Sequence, residues 1–123
     1  MGTKGKPRTP DAAARKAILD RAHLANYTMN SPELEREIIA LFLQQLPATV
    51  ALLKTASSHA DWKLATHTLK GSAAAVGAAL INELAVELEK YQYDVNVNII
   101  SDLLLALDKA VAQFHRAVAR IYQ

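Results

Sequence analysis

The last quarter of the chain narrows its fold most. Between Ile99 and Tyr122, the residues Leu103, Leu107, Val111, Phe114, Val118 and Ile121 recur at i, i+4, i+8, i+11, i+15 and i+18. That spacing draws one stripe along a helix turning about 100° per residue, and it has no place in the two-residue period of a strand. A helix with so long an apolar stripe must bury it against other elements, so the rest of the chain has to supply partners.

The partners are also helical in pattern. Ser31-Pro32-Glu33 is a strong helix start, with a capping hydroxyl, a proline at the first helical position and an acid in the first turn. Leu34, Ile38, Leu41, Phe42, Gln45, Val50 and Leu53 follow at helical spacing. Pro47 lies inside this run, and because the stripe resumes in phase it is expected to kink the helix rather than end it. After a polar break at Ser57–Ala60, Asp61 is expected to cap a helix from Trp62 to about Val76. Its buried side is drawn through Ala65, Leu69, Ala73 and Val76, with Gly77 as its stop. A further helix is expected from about Leu80 to Tyr91, with Ile81, Leu84, Ala85 and Leu88 inward. Tyr93–Asn98 alternates like a strand but has no partner, so it reads as a loop. A first helical signal lies between Pro10 and Tyr27, with good starts at both Thr9-Pro10 and Asp20. The expected fold is all-α: an antiparallel up-down four-helix bundle with a short extra N-terminal helix. Residues 1–9 read as a disordered basic arm and residues 10–123 as the bundle domain.

Composition excludes several function classes. The chain has no cysteine, which removes disulfides, thiolate metal sites and thiol nucleophiles and suits a reducing cytoplasm. No fully apolar stretch approaches ~18 residues and no secretory leader pattern is present, so no membrane association is expected. A net charge of +2 invites a nucleic-acid reading. Yet residues 1–16 hold five basic side chains against one acid, while the remainder holds nine against eleven. The body is slightly acidic, so no nucleic-acid partner is expected. His23, His59 and His115 have no ligand-like spacing with His67, and no metal site is expected.

The chemistry concentrates in Ala65-Thr-His-Thr-Leu-Lys-Gly-Ser-Ala-Ala-Ala-Val-Gly77. His67 lies two residues from both Ala65 and Leu69, about 200° round the helix from that buried side, so it should face outward. Lys63, Lys70, Gly71 and Ala74 share its side, at i−4, i+3, i+4 and i+7. A glycine in a helix interior costs about 1 kcal/mol relative to alanine. At Gly71 it leaves room beside the imidazole for a bulky group or another protein's surface, although a helix–helix packing contact would also explain it. Leu64, one turn before His67, is open to two readings: part of a docking patch, or core packing against the N-terminal helix.

The sequence His67-Thr-Leu-Lys70-Gly71-Ser72-Ala-Ala-Ala-Val-Gly77 resembles the signature of bacterial histidine phosphotransfer (HPt) domains, and the helical layout from about Asp20 onward resembles that family too. The resemblance implies that His67 accepts a phosphoryl group from a receiver-domain aspartate and passes it to another, with Lys70 offsetting its charge. It implies that Glu89, twenty-two residues after the histidine, orients the imidazole through Nδ1. It also implies that the partners are receiver domains of response regulators and of hybrid histidine kinases. Lys63, Leu64, Gly71 and Ala74 would then meet the partner, and the receiver would supply Mg2+, with no cofactor bound here. Thr68 follows His67 and no proline comes after it, unlike the histidine of a sensor kinase, and no glycine-rich phosphate loop is present. No autokinase activity is therefore expected. The alternative is a bundle of the same fold that docks receivers or other signalling partners without transfer. A single exposed histidine and no obvious second apolar stripe suggest a monomer.

Overall fold

The computed structural model describes residues 18–122 of the chain. The described residues form five helices and no strand: α1 (Arg21–Tyr27), α2 (Pro32–Thr55), α3 (His59–Val76), α4 (Ala79–Glu89) and α5 (Val97–Ile121). The expected basic arm, and the longer start of the first helix at Thr9-Pro10, lie outside the described residues. The Asp20 start is occupied: its carboxylate accepts a hydrogen bond from the His23 amide at 3.0 Å.

α3 packs against both α2 and α4, α4 against α5, and α1 against α3. Leu46, Trp62, Leu69, Ile81, Leu88, Leu107 and Phe114 make the centre of the core. Phe42 of α2 and Phe114 of α5 meet edge to face at 5.4 Å, which joins those two helices across it. Trp62 is buried and donates its indole N–H to the Tyr91 carbonyl at 3.0 Å. This ties the start of α3 to the end of α4.

Three expectations need correction. Ser58, not Asp61, caps α3: its hydroxyl accepts from the Asp61 amide at 3.0 Å, so the helix starts three residues earlier. Both residue types cap well, and the choice fell to the earlier one because it lets the helix begin at His59. α4 closes at Glu89 rather than Tyr91, because the Lys90 and Tyr91 amides bond to carbonyls three residues back, those of Glu87 and Leu88, in a tightened last turn. On α2 the buried residues are Glu35, Ile39, Phe42, Leu46 and Leu53, whereas Leu41 is 53% exposed. The apolar arc of α2 is wide enough to be rotated without losing its stripe. At its first turn Glu35 is buried with the apolar residues. There the Tyr122 hydroxyl donates to the Glu35 carboxylate, Arg21 approaches it at 3.4 Å, and Arg21 and Arg36 both lie against the Tyr122 ring. Burial, followed by the hydrogen bond to Glu35, pushes the Tyr122 hydroxyl up to about 12.

α2 continues through Pro47 as one helix. By length and composition alone it would suffice to cross a membrane, with a window of mean hydropathy 1.5. Ile39, Phe42, Leu46 and Leu53 of α2 are buried against the other helices, and 22% of that window is buried in all.

Candidate functional site

The site stands on the face of α3 opposite its core residues. Ala65, Leu69, Ala73 and Val76 are buried, as the expected stripe requires, and they turn His67 outward. The His67 side chain is 74% exposed. Lys63, Gly71 and Ala74 are exposed on the same helix. A Cβ added to Gly71 would meet nothing within 4 Å, so this glycine is not a helix–helix contact. The face beside the imidazole is open at that point.

α4 supplies the acidic half. Glu89, at its last residue, lies with one carboxylate oxygen 3.9 Å from His67 Nδ1 and the other 2.7 Å from Lys70 Nζ. The first separation is longer than a direct hydrogen bond. The second is a short charge-assisted hydrogen bond. Lys70 is consequently half-buried and engaged, not the freely solvated cation that the helical wheel suggests. The Lys70 hydrogen bond is the main reason why the Glu89 carboxyl titrates below the usual carboxylate range. Burial opposes that shift, and the charges of Lys70, Lys63 and His67 add to it.

Gly77 adopts the left-handed conformation (φ 76°) as the cap of α3. It has a second duty that sequence reading missed. Its carbonyl accepts from the Asp20 amide at 2.7 Å, and a Cβ at this position would come within 2.6 Å of the Asp20 carbonyl oxygen. The glycine thus lets the chain entering α1 close onto the α3–α4 turn.

Leu64 is 65% exposed, which removes the core-packing reading. With Leu52, Thr55, Ala56, Asp61, Ala65 and Thr68 it lines a surface hollow between α2 and α3. A second hollow further along the same groove is bordered by Tyr27, Leu41, Gln45, Ser72 and Ala75. Leu41 and Leu52, which α2 turns away from the core, therefore flank the α3 face that carries His67. Among the described residues no three His, Cys, Asp or Glu side chains gather as a metal site. His67, Lys70 and Glu89 are brought together, as are Leu64 and the groove. His23, His59 and His115 play no part here.

The family model for the Hpt domain matches residues 37–117, more than half of the chain. The chain belongs to the Hpt domain family. The match takes in α3, α4 and every candidate site residue, while α1 lies outside it. Hpt domains serve histidine phosphotransfer in phosphorelay signalling and interact with receiver domains of response regulators and hybrid kinases. No curated protein and no solved structure matches this Hpt domain significantly.

Proposed function

We propose that this Hpt domain is a phosphoryl carrier in which His67 takes the phosphoryl group from the aspartyl phosphate of one receiver and yields it to the aspartate of another. The observation that carries this reading is the setting of His67. It is an exposed imidazole whose Nδ1 edge faces the Glu89 carboxylate and whose neighbour one turn on has no side chain. A carboxylate on that edge favours the proton on Nδ1 and leaves the Nε2 lone pair directed at a partner.

In the forward step the Nε2 lone pair forms a bond to phosphorus. The bond from phosphorus to the aspartyl oxygen breaks, its electron pair returns to the receiver's carboxylate, and the proton stays on Nδ1. The phosphorylated ring is then cationic and is stabilised by Glu89. Lys70 offsets the charge of the phosphoryl oxygens, and Lys63 adds to the positive field from the turn before. Phosphoryl transfer onto the second receiver reverses each of these changes. The receiver's acidic pocket supplies Mg2+, and this chain contributes no metal ligand.

Leu64 and the hollow it shares with Leu52 offer apolar contact to a receiver, and Gly71 and Ala74 keep the surface low enough for its approach. The four helices α2–α5 form the antiparallel bundle, with α1 as the extra N-terminal element. The protein acts as a cytoplasmic monomer, without membrane or nucleic-acid partners.

A two-receiver assay tests the proposal. A phosphorylated receiver should load the wild-type protein, and addition of a second receiver should unload it. His67→Gln should accept nothing while keeping its helical spectrum. A wild-type protein that binds receivers yet takes up no phosphate would instead be a non-transferring interaction module.

A further inference from the structure

We infer that Asn82, on α4, is a positioning residue for the His67 site: it fixes the register of α4 against α3, so that Glu89 is held before both Lys70 and His67. This rests on the phosphotransfer reading and adds to it a residue outside the His67 motif.

α4 is short, and its N-cap residue Ala78 makes no side-chain capping bond. Its apolar residues Ile81, Ala85 and Leu88 choose the face that it buries, but hydrophobic contact is non-directional and tolerates sliding. Directional bonds must set the axial position. The Asn82 side-chain amide donates to the Lys70 main-chain carbonyl at 2.8 Å. Only the NH2 group of the amide can donate to a carbonyl, so the partner fixes its orientation. The same Lys70 sends its Nζ to Glu89 at 2.7 Å. Asn82 and Glu89 are seven residues apart, two turns of α4, and therefore share a side of that helix.

α4 thus grips one residue of α3 twice, by its main chain through Asn82 and by its side chain through Glu89. Of these two, the Asn82 bond is anchored to backbone, and it lies nearer the imidazole than the Trp62 bond to the Tyr91 carbonyl at the far end of α4. It acts on a residue three positions after His67, so it places α4 relative to the helix that carries the imidazole. The separation of Glu89 from His67 Nδ1 is 3.9 Å, so an axial displacement of α4 decides whether the carboxylate stays beside the ring. An alanine or leucine at position 82 would bury the same face of α4 and leave its register to the Trp62–Tyr91 and Lys70–Glu89 bonds alone.

The test reads the ring directly. Nitrogen chemical shifts of the unphosphorylated protein report the tautomer of His67. Wild type should show the proton mainly on Nδ1. Asn82→Leu keeps the branched skeleton of the side chain and removes the donor, and it should shift the proton toward Nε2. It should also slow transfer from a phosphorylated receiver by about three- to tenfold, less than the loss of an acid–base group itself, with unchanged receiver affinity. Asn82→Gln retains the donor and should recover part of both effects. If Asn82→Leu loses thermal stability while its His67 tautomer and transfer rate match wild type, Asn82 is merely structural and the inference is overturned. Because the tautomer is read without a receiver, the two ideas fail separately. A wild-type ring in the expected tautomer that no receiver can phosphorylate overturns the phosphotransfer reading, whereas normal phosphorylation with an unmoved tautomer in Asn82→Leu overturns only the positioning role.

Discussion

Gly71 inside α3 and Gly77 at its cap have opposite physical characters. Gly77 is required by its positive φ and by the Asp20 carbonyl 2.6 Å from where a Cβ would lie. Gly77→Ala should therefore cost about 2 kcal/mol or more, read as a lowered denaturation midpoint, and an unchanged midpoint would contradict the Asp20 contact. Lys70 and Glu89 make the other residue-level prediction. The Glu89 carboxyl is held below its ordinary value of 4.5, chiefly by the Lys70 hydrogen bond. A lowered folded value means that the pair's stabilisation is fully present above that ordinary value and fades as pH falls through the folded one. The stability gap between wild type and Glu89→Gln should thus be widest near neutral pH and close under acid, measured by denaturant unfolding across pH. A gap independent of pH would mean that the ion pair contributes nothing. The outward turn of His67 was legible from its distance to Ala65 and Leu69 alone. The engagement of Lys70 was not, because a wheel drawn for α3 contains no α4. Asn82 was also missed, although its seven-residue spacing from Glu89 was a signal that both lie on one side of α4.

At the scale of elements, the helices were readable because their stripes are long, and the errors fell where local signals compete. Ser58 and Asp61 are both good caps, and it is Ser58 that accepts the bond. α2 carries apolar residues round much of its surface, so periodicity alone did not fix its rotation. In the fold Ile39, Phe42, Leu46 and Leu53 face the core, and Glu35 meets Tyr122 and Arg21 at the first turn. That rotation matters for function, since it leaves Leu41 and Leu52 exposed beside α3. α3 itself gives a direct test of whether its open face is kept for a partner. Gly71→Ala meets nothing within 4 Å, so it should stabilise the protein by about 0.5–1 kcal/mol through helix propensity. The same substitution should weaken receiver binding, measured by titration calorimetry. Unchanged receiver affinity would remove the steric role given to this glycine.

For the molecule as a whole, the net charge of +2 conceals an uneven distribution, with a basic excess in residues 1–16 and a slightly acidic remainder. The positive charge that matters locally is the pair Lys63 and Lys70 around His67, facing the Glu89 carboxylate. The central claim is that phosphate enters and leaves through that one imidazole. Cleavage after Lys63 and Lys70 releases Leu64–Lys70, a peptide whose phosphate-accepting side chains are Thr66, His67 and Thr68. After loading from a phosphorylated receiver, mass-spectrometric mapping at neutral pH should find the phosphate in this peptide. It should be lost in acid and kept in base, and it should be absent from His67→Gln. Phosphate that survives acid, or that persists on the His67→Gln protein, would contradict the account.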